Sequence, residues 1–210
     1  MTELIMLGGG GHCKSVLDVA EAMRCFHILG ILAPEGEGLF GVPRLGGDEF
    51  LPELYARGVR QAFVSLGSVG KPDRRQRLYE SAKAIGFAFP NIIDPGAAIS
   101  GYAEMGEGIF VGKNAVVNAG SVVGNLAIIN TGAIVEHDCQ IGALAHISPG
   151  AVLCGNVSVG AKTHIGAGTV ILQGIKVGEA SLVGCASAVL RDIPEHVKAY
   201  GNPCRTVGAI

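Results

Sequence analysis

From Ile93 to Pro194 the chain runs through seventeen consecutive six-residue units without an insertion, and every unit opens on an apolar residue. The openers are Ile93, Ile99, Met105 and Val111, then every sixth residue to Val183 and Val189. Four places after each opener there is, in most units, a small or β-branched residue, as at Ala97, Ala115, Ala133, Cys139, Ala145, Thr163 and Ser181. Six is a multiple of the strand's period of two, so each opener shares a face with the small residue two places before it. The same spacing does not fit a helix. Gly follows the opener in eight units. Short strands broken at Gly or Asn corners describe a chain that turns repeatedly in one sense, because those residues reach positive φ at little cost. Three units close a triangular coil, and unbroken hexad phase predicts a parallel β-helix over residues 92–194. Residues 195–210 leave the phase and are expected to cap the last coil.

Before the repeats, residues 1–91 follow other periods. Glu3 to Leu7 reads as an apolar strand, Gly8-Gly9-Gly10-Gly11 as a turn, and His12 to Arg24 as a helix with Val16, Leu17, Ala20 and Met23 on one side. A strand from Phe26 to Leu32, a helix near Asp48 to Ala56, a strand from Gln61 to Leu66 and a charged helix from Pro72 to Ala84 continue the alternation. Such alternation predicts a small Rossmann-like α/β domain with a parallel sheet. The fold class is therefore α/β followed by an all-β solenoid.

Composition narrows the function classes. The 33 Gly and absent Trp suit a prism filled by aliphatic side chains. A net charge of −2 with no basic cluster argues against a nucleic-acid surface. No stretch approaches the roughly 20 apolar residues of a membrane span, and no basic segment precedes a hydrophobic one at the amino terminus, so a cytoplasmic protein is expected. The six cysteines are scattered without a CxxC pair. Neither a disulfide framework nor a zinc site is indicated, and no metal is expected.

Two regions carry candidate chemistry. A strand, tetraglycine and helix amino terminus present backbone N–H groups to an anion, although the same residues also serve as a plain tight turn. Cys13 stands where a Walker loop needs Gly before Lys14-Ser15, and it also breaks a GxGxxG pattern. In the solenoid, His137 falls at a corner between Glu136 and Asp138, acids able to orient an imidazole and stabilise its charged form, as suits a general base. A hydrophilic corner would carry the same acids. His146 is expected mid-strand and outward, with His164 one coil of eighteen residues further on, about 4.8 Å away. Asn130 borders the same face, either as a left-handed corner residue or as a polar partner of His146. Cys139 sits at a small inward position and reads as packing, and His146 with His164 lacks a third metal ligand. The His137 corner and the His146 face cannot share a cleft in one prism, whereas a trimer would bring them together.

The segment Leu7-Gly8-Gly9-Gly10-Gly11-His12, the hexads, Asn130 with Glu136-His137-Asp138, His146 and the tail Gly201-Asn202-Pro203 resemble the NeuD/PglD family. These are bacterial sugar acyltransferases, some O-acetylating sialic acid and others N-acetylating nucleotide-linked amino sugars. The resemblance implies a left-handed β-helix, a homotrimer with inter-subunit sites, and acetyl-CoA as donor in the groove between prisms. It assigns His137 as catalytic base and Asp138 as its acidic partner, with Glu136, Asn130 and His146 as further catalytic-site polar residues. His146, Gly155, His164, Ala167 and Cys185 fall on the cofactor side, and Gly8, Gly9, Gly10, Gly11 and His12 on the sugar-nucleotide side. One departure stands out. Family members that use uridine-linked sugars end the second strand on acidic residues, whereas this chain reads Gly30-Ile31-Leu32-Ala33-Pro34-Glu35.

The function expected is direct N-acetylation of a nucleotide-linked amino sugar. A neutral amine is the better nucleophile, and a phosphate cradle suits a nucleotide-linked acceptor. The alternatives are O-acetylation of sialic acid or a related sugar, and a non-catalytic trimeric carbohydrate-binding scaffold.

Overall fold

A computed structural model describes all residues, 1–210, and divides into two compact units. The first comprises Met1–Ser68 and Pro72–Ile92, the second Val69–Lys71 and Ile93–Ile210.

The first unit is built on four parallel strands in the order β3-β2-β1-β4. They are β1 (Thr2–Leu7), β2 (Phe26–Leu32), β3 (Arg44–Gly46) and β4 (Gln61–Val64). Leu4 to Leu7 are fully buried as a continuous apolar run, as a parallel strand covered on both faces requires. Helix α1 (Gly11–Ala22) buries Val16, Leu17, Val19 and Ala20, and α2 (Leu51–Ala56) follows a single 3₁₀ turn at Asp48–Phe50. Helix α3 (Asp73–Ile85) ends at Gly86, whose φ of 118° gives the left-handed C-cap that glycine supplies. Strand β3 is absent from the sequence reading, because its three residues are too few to set up an alternation. The strand expected from Gln61 to Leu66 stops at Val64.

The second unit is a left-handed parallel β-helix. Seventeen two-residue strands, from Ile92–Ile93 to Ala188–Val189, each end on a hexad opener. Partners lie eighteen residues apart, as in Ile128↔His146 and Ile134↔Val152, so three hexads make one coil and the strands stack into three sheets. From Val111 onward the openers are almost completely buried and form one core with Ala115, Ala127, Ala133 and Ala145. Hydroxyls at the small inward position are satisfied internally: Ser121 Oγ donates to Glu136 O at 2.7 Å and Thr163 Oγ1 to Gly178 O at 2.6 Å. Strand Val197–Tyr200 extends one sheet beyond Leu182–Val183 and pairs antiparallel with Arg205–Ala209.

The glycines after the openers have a different purpose from the one expected. Positive φ occurs three places after the opener, at residues such as Asn114, Asp138, Asn156 and Gly132. The glycine directly after the opener lets the next coil close on it, since a Cβ on Gly112 would lie 2.7 Å from Thr131 N. Asn130 occupies this second kind of position and is not left-handed, which removes the corner reading of that residue.

Candidate active site

His137 lies at the corner between the sheet of Ile134–Val135 and that of Gln140–Ile141. The left-handed backbone of Asp138 (φ 61°) turns the chain there and brings the Asp138 carboxylate back to the imidazole, with Oδ2 2.8 Å from Nδ1. A carboxylate acceptor fixes the ring proton on Nδ1, so Nε2 is the basic nitrogen. The side chain is 54% exposed, and Nε2 sits over Gly155 one coil further on. A Cβ at Gly155 would fall on the imidazole itself, so the missing side chain gives the ring room to lie there. Glu136 does not share the ring with Asp138. Its Oε2 accepts from the backbone N–H of His137 at 3.3 Å and steadies the corner.

His146 and His164 are register partners on a different sheet, with ring centroids 4.8 Å apart and planes at 86°. The expected spacing is met, but the rings meet edge to face. Both point out of the prism and are nearly buried, at 9% and 8% exposure. Asn130 Oδ1 accepts from Thr131 N at 2.8 Å, which leaves its amide nitrogen, 3.3 Å from His146 Nε2, to donate to that ring. Nε2 of His146 is therefore the acceptor, and its proton resides on Nδ1. Ser148 Oγ lies 3.2 Å from His164 Nε2. Its place two residues after His146 is the signal the sequence reading passed over. His146, Ser148 and His164 line a cavity of about 340 Å³ together with Val69, Ala167 and Cys185.

The proposed cofactor residues thus separate. His146, His164, Ala167 and Cys185 share the cavity, whereas Gly155 belongs to the His137 corner. His137 and His146 lie on different faces, as the register requires. Cys139 is buried with its Sγ 3.3 Å from Cys154 O, and burial pushes its thiol pKa up, which fits packing and not a nucleophile.

The glycine turn lies in the first unit. Gly8 has φ 111°, and a Cβ there would strike Leu66, so glycine is needed on both counts. Gly8 N donates to Leu32 O at 2.8 Å and Ser65 Oγ to Gly8 O at 2.6 Å, tying the turn to the ends of β2 and β4. Helix α1 has no side-chain N-cap and no acid in its first turn, and a Cβ on Gly10 or Gly11 would meet only open space. Its leading amides are thus available to an anion. His12, in the same first turn, is half-buried.

A family model described as the PglD N-terminal domain matches residues 3–82. A variant of perosamine N-acetyltransferase from Caulobacter crescentus, solved in complex with CoA and GDP-perosamine, is 37% identical to this chain. The match covers 99% of this chain and 98% of that one, with a TM-score of 0.94. The chain belongs to the NeuD/PglD family of sugar acetyltransferases. A second member, the acetyltransferase domain of PglB from Neisseria gonorrhoeae FA1090, solved with acetyl coenzyme A, is 35% identical over 98% of each chain, with a TM-score of 0.90. WeeI from Acinetobacter baumannii AYE, at 21% identity over 99% of this chain and a TM-score of 0.87, shares the fold. No curated protein sequence matches the chain. No helix is long and apolar enough to cross a membrane.

Proposed function

We propose that this NeuD/PglD acetyltransferase transfers the acetyl group of acetyl-CoA directly to the amine of a nucleotide-linked amino sugar, with His137 as general base. The observation that carries this reading is the His137 corner. Asp138 holds the imidazole by Nδ1 at 2.8 Å, and Gly155, lacking a side chain, leaves room for the ring in that position. The acceptor amine attacks the thioester carbonyl while Nε2 takes the proton it sheds, and the proton then passes to the departing CoA sulfur. His146, with its proton on Nδ1, donates to the oxyanion that forms at that carbonyl. Because the thioester is already activated, the protein chiefly aligns two substrates and handles one proton. No acyl-enzyme is required, and the buried, protonated Cys139 is not called upon.

In this reading the first unit holds the nucleotide at the glycine turn and the second carries the transfer chemistry. Relatives at 37% and 35% identity, solved with CoA and GDP-perosamine and with acetyl coenzyme A, support both substrate classes. The working unit is a homotrimer in which the His137 corner of one prism meets the His146 face of another. The sheet beside that corner supports association, because its outward residues Val116, Ile134, Val152 and Val170 form an aliphatic ladder. The test is a thiol-release assay with acetyl-CoA against GDP- and UDP-linked amino sugars, their hydroxyl analogues and sialic acid, with product masses recorded. An acetamido product from a nucleotide-linked amino sugar supports the proposal. Turnover only with a hydroxyl acceptor would replace it with O-acetylation, and no thiol release with any acceptor would leave a binding scaffold.

A further inference from the structure

We propose that Arg44 is the residue that selects the nucleotide, and that it selects guanine. This rests on the reading that the first unit binds a nucleotide-linked sugar. Arg44 opens the edge strand β3 opposite Ile31 of β2, beside the carboxyl end of β2. Its Nε donates to Ala33 O at 2.7 Å and its Nη2 to Pro34 O at 2.6 Å. Ala33 in turn adjoins the glycine turn, since a Cβ on Gly9 would lie 3.4 Å from Ala33 Cβ. The guanidinium is therefore tethered one residue from the candidate phosphate cradle. In open α/β sheets ligands lie across the carboxyl ends of the strands, with phosphates at the turn after the first strand and the nucleoside at the end of the second. Arg44 stands on the nucleoside side.

The two bonds consume one edge of the guanidinium and leave another. Nε and Nη2 face the Ala33 and Pro34 carbonyls, so the fork formed by Nη1 and the second hydrogen of Nη2 is left for a ligand. Both tethering partners are neutral, so the full positive charge remains. A fork of two parallel donors matches two adjacent acceptors, and guanine offers such a pair in O6 and N7. Uracil has no adjacent acceptor pair, because O4 is flanked by N3–H and C5–H, and adenine sets a donor amine beside N7. Tethering also fixes the fork before the ligand arrives, so little side-chain freedom is lost on binding.

Calorimetric titration of GDP, UDP and ADP into the full-length wild type, Arg44→Lys and Arg44→Gln tests this, with thermal melting to verify that each variant is folded. Wild type is expected to prefer GDP. The ratio of the UDP to the GDP dissociation constant should fall roughly 10-fold or more in both variants, the size a lost bidentate contact gives, while KM for acetyl-CoA stays unchanged. Arg44→Lys keeps the charge and loses the fork, so a lysine that preserves the preference would overturn the assignment. An unchanged ratio in either folded variant would overturn it too, as would a wild type that favours UDP. A merely structural tether would weaken all three nucleotides alike. If wild type binds none of them, the nucleotide-sugar reading falls together with Arg44, whereas acetylation of a nucleotide sugar with an unchanged ratio removes Arg44 alone.

Discussion

Replacing Gly155 by alanine separates the chemistry of the His137 corner from its folding. The backbone there is not left-handed, so alanine meets no conformational penalty. Its Cβ would overlap Nε2, Cε1 and Cδ2 of His137, the far end of a flexible side chain that is 54% exposed and free to swing outward. The stability cost is therefore small, within about 0.5 kcal/mol, as for a surface substitution. The catalytic cost is large. A displaced ring loses both its bond to Asp138 and its place beside the acceptor, and a positioned base contributes on the order of 10²-fold or more. Steady-state thiol release at saturating substrates should show kcat down about 10²-fold, with the melting temperature within about 2 °C of wild type. Wild-type turnover in Gly155→Ala would refute the claim that Nε2 works from the position over Gly155. A folded protein with unchanged kcat and a raised KM for acetyl-CoA would instead place Gly155 in cofactor contact.

Burial raises the Cys139 pKa, so less thiolate exists at any given pH, and iodoacetamide at pH 8 should label the exposed Cys25 and Cys185 before Cys139, read by peptide mass. Cys139→Ala should leave kcat within a few-fold, and an acetylated Cys139 trapped during turnover would contradict direct transfer. Co-expressed His137→Ala and His146→Ala subunits should regain up to about a third of full activity, since one interface of a symmetric trimer then pairs two intact residues. Mixed trimers, verified by mass, that give only the sum of the two parents would show that the histidines do not cooperate across subunits.

The solenoid was legible because its period is a geometric constraint: every opener from Ile93 to Val189 ends a strand, and a single insertion would have flipped the faces. The same register placed Asn130 beside His146 and His146 beside His164. Corner chemistry was less legible. Which hexad position is left-handed depends on how coils stack, and that contact is eighteen residues distant, as between Gly112 and Thr131. The division of labour at His137 was hidden for a similar reason. Glu136 and Asp138 are equal neighbours in sequence, and only the left-handed φ of Asp138 sends its carboxylate, and not that of Glu136, to the ring. Arg44 gave no signal at all, since its strand is three residues long and its partners are backbone carbonyls.

The most direct test of the account is the turnover of His137→Ala, measured by thiol release with acetyl-CoA and the nucleotide-linked amino sugar the wild type uses, both saturating. In this variant kcat should be lower by roughly 10²-fold or more, with unchanged melting temperature and assembly. Wild-type turnover in the folded variant would remove His137 as the base and contradict the account.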